Sequence, residues 1–362
     1  MTHYKAAVLG ATGMVGQRFI SLLINHPWFT VTTVAASPRS AGKTYVTAVD
    51  DRWAMSTPIP KSIASLTLLA VEDDHKQIAA AVDVVFCALD MEKADIRRIE
   101  EAYAAAGVAV ISNNSAHRWT ADVPMIMPEV NPSHTALIDT QRKNRGWDTG
   151  LIAVKPNCSI QSYVSILSAL TAFKPVSVHV TSLQAISGAG KTFETWPEMV
   201  DNVIPFIGGE EEKSEKEPMK IWGSITNGSL QPATVPVINA TCIRVPVSNG
   251  HLASVSVRFE GEPTRDAIIA AVTNFQNPLT AFNLPSAPQQ LMQYLDDDSR
   301  PQTKLDRDYS NGMGISMGRL RQVGKREWQF IALAHNTVRG AAGGAILMAE
   351  LLAQQGYIHN RA

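Results

Sequence analysis

Cys158 lies in Lys155-Pro156-Asn157-Cys158-Ser159-Ile160, where a proline turn leads into SYVSILSALTAF, a run with apolar residues at helical spacing. That spacing predicts a helix with Asn157 or Cys158 at its cap. A thiol there feels the positive end of the helix dipole, which lowers its pKa and favours the nucleophilic thiolate. A buried structural cysteine is the competing reading, and Cys87 and Cys242, inside apolar strands, take it. Cys158 differs by standing at an element boundary among polar neighbours.

A base to serve such a thiol is found in Arg244-Val245-Pro246-Val247-Ser248-Asn249-Gly250-His251. Asn-Gly between two alternating runs predicts a two-residue hairpin loop, with Ser248 opposite His251. Strand parity then places Arg244 on the face of His251, four ladder steps away, on the order of 13 Å. Arginine's reach shortens that gap to the length of a small acidic substrate. An exposed hairpin with two polar side chains is the alternative these residues leave open.

Gly10-Ala11-Thr12-Gly13-Met14-Val15-Gly16 falls where a strand ends and a helix begins. Glycines at such a junction let backbone N–H groups approach a pyrophosphate at the helix start. A plain tight turn is the competing reading; the position at the first β–α junction favours a dinucleotide. The second strand ends in Ala36-Ser37-Pro38-Arg39-Ser40, with none of the acid that holds a ribose 2′-hydroxyl. Arginine flanked by serines suits a 2′-phosphate instead, so Ser37, Arg39 and Ser40 point to NADP. An idle arginine in a surface turn is the rival.

SLQAISGAGKTFETW (182–196) imitates a phosphate-binding P-loop, with Gly190, Lys191 and Thr192 in place and a helix expected after them. Ala185 stands where that motif needs its first glycine. The stretch also lies in a strand-rich part of the chain rather than at an early β–α junction. Ser187-Gly188-Ala189-Gly190 is therefore expected to be a close-approach loop, and the ATPase likeness a matter of letters.

These groups need a scaffold. Runs at 4–10, 30–36, 83–89 and 108–112 read as buried strands, with helical spacing between the first two, the pattern of a parallel sheet with crossover helices. A polar stretch at 131–150 interrupts it. VSVHVTSLQ, TCIRVPV and LASVSVRFEG then alternate as strands of an antiparallel or mixed sheet. Residues 336–356 read as an apolar helix with small residues early. The chain has 362 residues, enough for two domains, and a net charge of −1, with no basic field for nucleic acid or acidic lipid. No apolar run reaches the roughly 20 residues that span a bilayer. Three cysteines form no C-x-x-C pair or metal-ligand spacing, so a reduced, cytoplasmic protein without a metal is expected.

Together GATGMVGQRF (10–19), ASPRSAGK (36–43), PNCSI (156–160), QAISGAG (184–190), DNVIPFIGGEEEK (201–213), RVPVSNGH (244–251) and HNTVRGAAGG (335–344) resemble the aspartate-semialdehyde dehydrogenase family, in its archaeal and fungal-type branch. They follow one another over nearly the whole chain. The resemblance implies an α/β fold, with a Rossmann-type dinucleotide-binding domain and an α+β catalytic domain like that of glyceraldehyde-phosphate dehydrogenase. The first covers 1–156, completed by a C-terminal helix at 337–362; the catalytic and dimerisation domain covers 157–336. It also implies a homodimer or homotetramer.

By the same resemblance Cys158 is the nucleophile, His251 the acid/base catalyst and Gln184 the group that orients the acyl intermediate. Arg244 pairs with the substrate α-carboxylate, Glu210 takes its amino group, and Lys213 and Arg118 hold the phosphate, with Asn157 beside the nucleophile. Ser187, Gly188, Gly190 and Asn336 join the glycine cluster on the cofactor. In EEEKSEKE (210–217), Glu210 and Lys213 share a helical face, while Glu211, Glu212, Glu215, Lys216 and Glu217 read as a solvated surface.

The implied chemistry is NADPH-dependent reduction of L-aspartyl-4-phosphate to aspartate semialdehyde and phosphate through a cysteine thioester. His251 protonates the departing thiol or shuttles that proton, and N–H groups at the helix start hold the oxyanion. A malonyl-CoA reductase or N-acetylglutamyl-phosphate reductase would keep the cysteine and histidine but lack a use for the Glu210–Arg244 pair. A P-loop ATPase and a non-catalytic NADP-binding regulator are the more distant rivals.

Overall fold

A computed structural model describes residues 3–361. Its first sheet has six parallel strands: β1 (Tyr4–Leu9), β2 (Phe29–Ala36), β3 (Leu69–Ala70), β4 (Val84–Cys87), β5 (Ala109–Ser112) and β6 (Leu151–Val154). Their order is β3-β2-β1-β4-β5-β6, so the chain reverses direction between β1 and β4. A crevice outside the strands' carboxyl ends follows from that reversal. β4, β5 and β6 are buried at every position, as strands covered on both faces must be. Helices α1 (Met14–Leu23), α2 (Lys93–Ala105) and α3 (Leu137–Arg145) pack on this sheet. β3 and β6 are too short and too little alternating to stand out in the sequence.

After α4 (Gln161–Ala169) comes the second sheet: β7 (Pro175–Gln184), then α5 (Glu210–Ile221), a small hairpin of β8 (Ser224–Thr226) and β9 (Ser229–Gln231), and strands β10 (Val237–Arg244) and β11 (His251–Phe259). α6 (Arg265–Thr273), β12 (Met292–Leu295), β13 (Ile315–Gly324) and β14 (Glu327–Ala334) complete it. The order is β10-β7-β11-β14-β13-β12, a mixed sheet.

The expected hairpin at Asn249-Gly250 does not form, because β7 lies between β10 and β11 and pairs with both. Gly250, at φ +99, instead lets the chain cross over the end of β7. The helix expected after Thr192 is also absent. Thr192 and Thr195 exchange side-chain hydrogen bonds in a turn, and a single 3-10 turn, Pro197–Met199, follows.

The C-terminal helix α7 (Gly343–Gln354) begins later than the apolar pattern suggests. Before it, Gly340 N–H donates to His335 O at 2.9 Å and Ala342 N–H to Thr337 O at 3.2 Å, each reaching five residues back in a π-turn. α7 packs against α1 and β5 of the first sheet. His26 Nε2 pairs with the buried Glu350 at 2.8 Å and ties α7 to the start of β2. One apolar core runs from the first sheet through α4 to the second sheet. The two parts thus hold a fixed relation across the crevice.

Candidate active site

Three side chains meet where β7 sits between its neighbours. In the parallel pairing Arg244 stands opposite Gln184, and in the antiparallel pairing Leu252 stands opposite Leu183, which brings His251 level with Gln184 on the other side. Arg244 and His251 are therefore two strand spacings apart, on the order of 10 Å at the backbone, not four steps along a hairpin ladder. Their side chains converge on Gly188. A methyl there would stand 3.0 Å from both the Arg244 guanidinium and the His251 ring and press on the two together, so glycine suits this close approach. Arg244 donates to Ala185 O at 2.6 Å.

Cys158 does not cap a helix. α4 starts at Gln161, and Asn157 Oδ1 accepts Ser159 N–H at 2.8 Å and Ser159 Oγ–H at 2.6 Å, turning the chain so that the thiol sits ahead of the helix. Its Sγ lies 3.4 Å from His251 Nε2. Burial pushes the thiol up to about 11, with Glu210 adding to the rise and Lys155, Arg118 and Arg244 opposing it. The thiol is thus raised rather than lowered as a place at a helix start would suggest, and burial is the first cause. His251 is driven the other way, to about 3, by burial and then by Arg244 and His335. Its Nδ1 accepts the Ala185 N–H at 3.0 Å. Cys87 and Cys242 are fully buried in β4 and β10.

α5 supplies a carboxylate at the centre. Glu210 accepts from Lys213 Nζ at 2.7 Å, from Asn157 Nδ2 at 3.1 Å and from Gln184 Nε2 at 3.3 Å. The rest of the charged run is not the solvated face expected. Glu217 is wholly buried, accepting Arg118 at 2.9 Å and Asn157 N–H at 2.7 Å. Glu211 and Glu215 accept backbone N–H groups of β10 at Cys242 and Ala240. Only Glu212 and Lys216 pair in the open, at 2.7 Å. Glu210, Lys213 and Glu217 lie at i, i+3 and i+7, a one-face spacing that could have singled out Glu217. Arg118 also donates to Lys155 O at 3.0 Å, so it underpins the Cys158 turn.

The other half of the crevice is the glycine turn. Gly10, at φ +78, passes against the Ala88 carbonyl, and Gly16 presses on Gly10 O, each leaving no room for a Cβ. Gly13 precedes Met14 at the start of α1, with Val15 half-buried behind it. Gln17 and Tyr45, which the sequence did not single out, brace the turn by donating to Thr12 O and Ala11 O at 2.9 Å each. Gly10 and Ala11 N–H groups bond Ala35 O and so hold the turn against the end of β2. There Ser37 and Arg39 are exposed and Ser40 is half-buried, and among the described residues Arg39 has no ion-pair partner. A cavity of about 190 Å³ joins Met14 to Ser187, Lys191 and Ser248 across the crevice. Asn336 donates to Ser187 Oγ at 2.9 Å and accepts Gly250 N–H at 2.8 Å, fixing that wall. Gly190, at φ +67, closes the loop.

A glycine turn facing a thiol–imidazole pair suits a dinucleotide enzyme that works through a cysteine, and comparison with known proteins agrees. A family model described as the semialdehyde dehydrogenase NAD-binding domain matches residues 5–138, and its dimerisation-domain counterpart matches 167–339. The aspartate-semialdehyde dehydrogenase of Archaeoglobus fulgidus is 43% identical over 98% of this chain and 99% of its own. The chain belongs to the aspartate-semialdehyde dehydrogenase family. The Schizosaccharomyces pombe relative is 41% identical over 98% of this chain and 99% of its own. The aspartate-semialdehyde dehydrogenase of Candida albicans, solved with NADP, superposes with a TM-score of 0.87 at 35% identity, covering 99% of this chain and 100% of that one. The archaeal and fungal relatives match the branch to which the sequence motifs point.

Proposed function

We propose that the protein reduces L-aspartyl-4-phosphate to L-aspartate-4-semialdehyde, releasing phosphate, with NADPH as reductant. Cys158 Sγ facing His251 Nε2 at 3.4 Å, within a frame of Glu210, Arg244 and Gln184, is the observation that carries this reading. Residues 1–156 with 337–362 hold the cofactor, and 157–336 carry the chemistry.

NADP fits the crevice: the turn at Gly10, Thr12, Gly13, Met14, Val15 and Gly16 presents a helix start, and Arg39, between Ser37 and Ser40 at the end of β2, has no carboxylate partner among the described residues. Ser187, Gly188, Gly190 and Asn336 form the opposite wall. Bound NADPH supplies the hydride.

The protein's own groups do the rest. Arg244 grips the α-carboxylate and Glu210 the α-ammonium, which sets the acyl carbon over Cys158. The thiolate attacks that carbon; an S–C bond forms, the C–O bond to phosphate breaks, and Lys213 receives the phosphate dianion, with Arg118 adding its charge from behind while it stays paired with Glu217. Gln184 and Asn157 hold the resulting thioester in place. When the reduced carbon expels the thiolate, His251 Nε2–H hydrogen-bonds first to the oxyanion and then to the sulfur, which takes its proton from solvent. The product aldehyde leaves with the thiol regenerated.

The match to a family model described as a dimerisation domain supports self-assembly, and a homodimer or homotetramer is the proposed form. No helix among the described residues is long and apolar enough to cross a membrane. A cytoplasmic location is proposed because a working thiol needs reducing surroundings. The deciding assay follows NADP reduction that depends on both semialdehyde and phosphate, in wild type and Cys158→Ala. Turnover in wild type alone is expected. Greater activity on malonyl-CoA, or turnover retained in the variant, overturns the assignment.

A further inference from the structure

Lys155 follows β6 directly and is 2% exposed. Its ammonium reaches only Pro156 O, at 3.5 Å, and among the described residues no carboxylate stands within ion-pair distance. Leaving a lysine so sealed and unpaired is costly, so its surroundings need an explanation.

The charges around it do not balance. Burial, then Arg339, push Lys155 well below the ordinary lysine value, with Cys158 the first group to oppose them. In its charged form it is the fifth cation of a cluster with Arg118, Arg339, Arg244 and Lys213, against the three carboxylates Glu129, Glu210 and Glu217. Arg339 pairs with Glu129, Arg118 with Glu217, and Lys213 with Glu210. Arg244 and Lys155 remain. Arg244 lies beside Gly188 and His251, where a substrate anion can meet it. Lys155 is sealed from solvent.

One ionisable group of the right sign is left. The Cys158 Cβ would sit 2.8 Å from a Cβ added at Gly340, and Lys155 Cε 2.6 Å from one added at Gly344. Gly340, in the π-turn, and Gly344, in the first turn of α7, therefore press on Cys158 and Lys155 from one short segment, four residues apart in the chain. Cys158 also faces His251, Glu210, Arg118 and Arg244, while Lys155 faces Arg339, Arg118 and Glu217.

We propose that Lys155 is the internal counter-charge of the Cys158 thiolate, a positioning residue set behind the nucleophile and out of the substrate's path. The inference rests on the reading of Cys158 as nucleophile. In that role the ammonium offsets the burial of the thiolate without occupying the face that attacks. It draws on the same coupling from both ends: each group is more readily charged when the other is.

The test is the pH profile of Cys158 alkylation by iodoacetamide in the full chain, for wild type and Lys155→Met. The inflection is expected to rise by about one unit in the variant, a tenfold loss of thiolate at a given pH below it, with NADPH binding retained. An unmoved inflection in folded Lys155→Met overturns the proposal. Should that variant not fold, the reciprocal reading uses Cys158→Ala, with Lys155 followed by the NMR shift of its labelled ε-carbon. Loss of the thiolate should lower the pH at which Lys155 titrates, and an unchanged titration overturns the proposal. Failure of the nucleophile reading looks different, as Cys158→Ala would then retain turnover.

Discussion

His251 turns Nε2 toward Cys158 at 3.4 Å while its Nδ1 accepts the amide N–H of Ala185 at 3.0 Å. An amide can only donate, so Nδ1 keeps its lone pair and the neutral ring carries its proton on Nε2. His251 therefore meets the sulfur as a donor, and the thiol loses its proton to solvent or substrate.

A pH dependence follows from that arrangement. With His251 held down to about 3, kcat/KM should show no acid limb near the ordinary imidazole value of 6.5, and should climb toward high pH as Cys158 ionises. Nitrogen-15 NMR of labelled histidine should show an Nε2–H tautomer that stays neutral at pH 5. The unfolded chain protonates this ring below about 6.5 and the folded one only near 3, so stability falls as pH drops through that window. An imidazolium signal at pH 6 would contradict the assignment.

Arg39 stands exposed beyond the end of β2, and among the described residues no acid pairs with it. Arg39→Ala should weaken NADPH binding by about tenfold or more, from a charge-assisted bond of roughly 1.5–3 kcal/mol, and leave NADH nearly unchanged. Fluorescence titration with the two cofactors distinguishes this from a general loss of fit, which would weaken both.

Glu217→Gln removes the carboxylate from a fully buried pair with Arg118 and weakens the bond to Asn157 N–H. About 3 kcal/mol of stability should be lost, because Arg118 is left charged and unpaired in the interior. Urea unfolding checks it; a loss below about 1 kcal/mol would mean that solvent reaches the site.

Gly188→Ala places a methyl 3.0 Å from both Arg244 and His251. Arg244 and His251 must give by a few tenths of an ångström, so KM for aspartyl phosphate should rise and kcat should fall together while the unfolding midpoint stays close to wild type. An unaltered KM would show that Arg244 does not hold the substrate.

The chemistry was more legible than the scaffold that aims it. Cys158, His251, Gly188 and the glycine turn stand in local patterns whose residue types carry meaning, and the structure brings them to one crevice. The link between Arg244 and His251 is hidden in the sequence because Asn-Gly is a local hairpin signal. The insertion of β7 between their strands is a long-range pairing that no short window contains. Glu217 was lost for the opposite reason: a run of charges looks solvated until a buried arginine 99 residues away supplies its partner. Burial, which sets the Cys158 and His251 pKa values, likewise exists only once distant elements pack.

The most direct test of the thioester is acid quench of the enzyme with aspartyl phosphate in the absence of NADPH, followed by peptide mass spectrometry. A covalent aspartyl adduct on the Cys158 peptide, lost in Cys158→Ala and discharged when NADPH is added before the quench, is the expected result. No adduct under conditions of full turnover, or an adduct on another residue, would contradict the account.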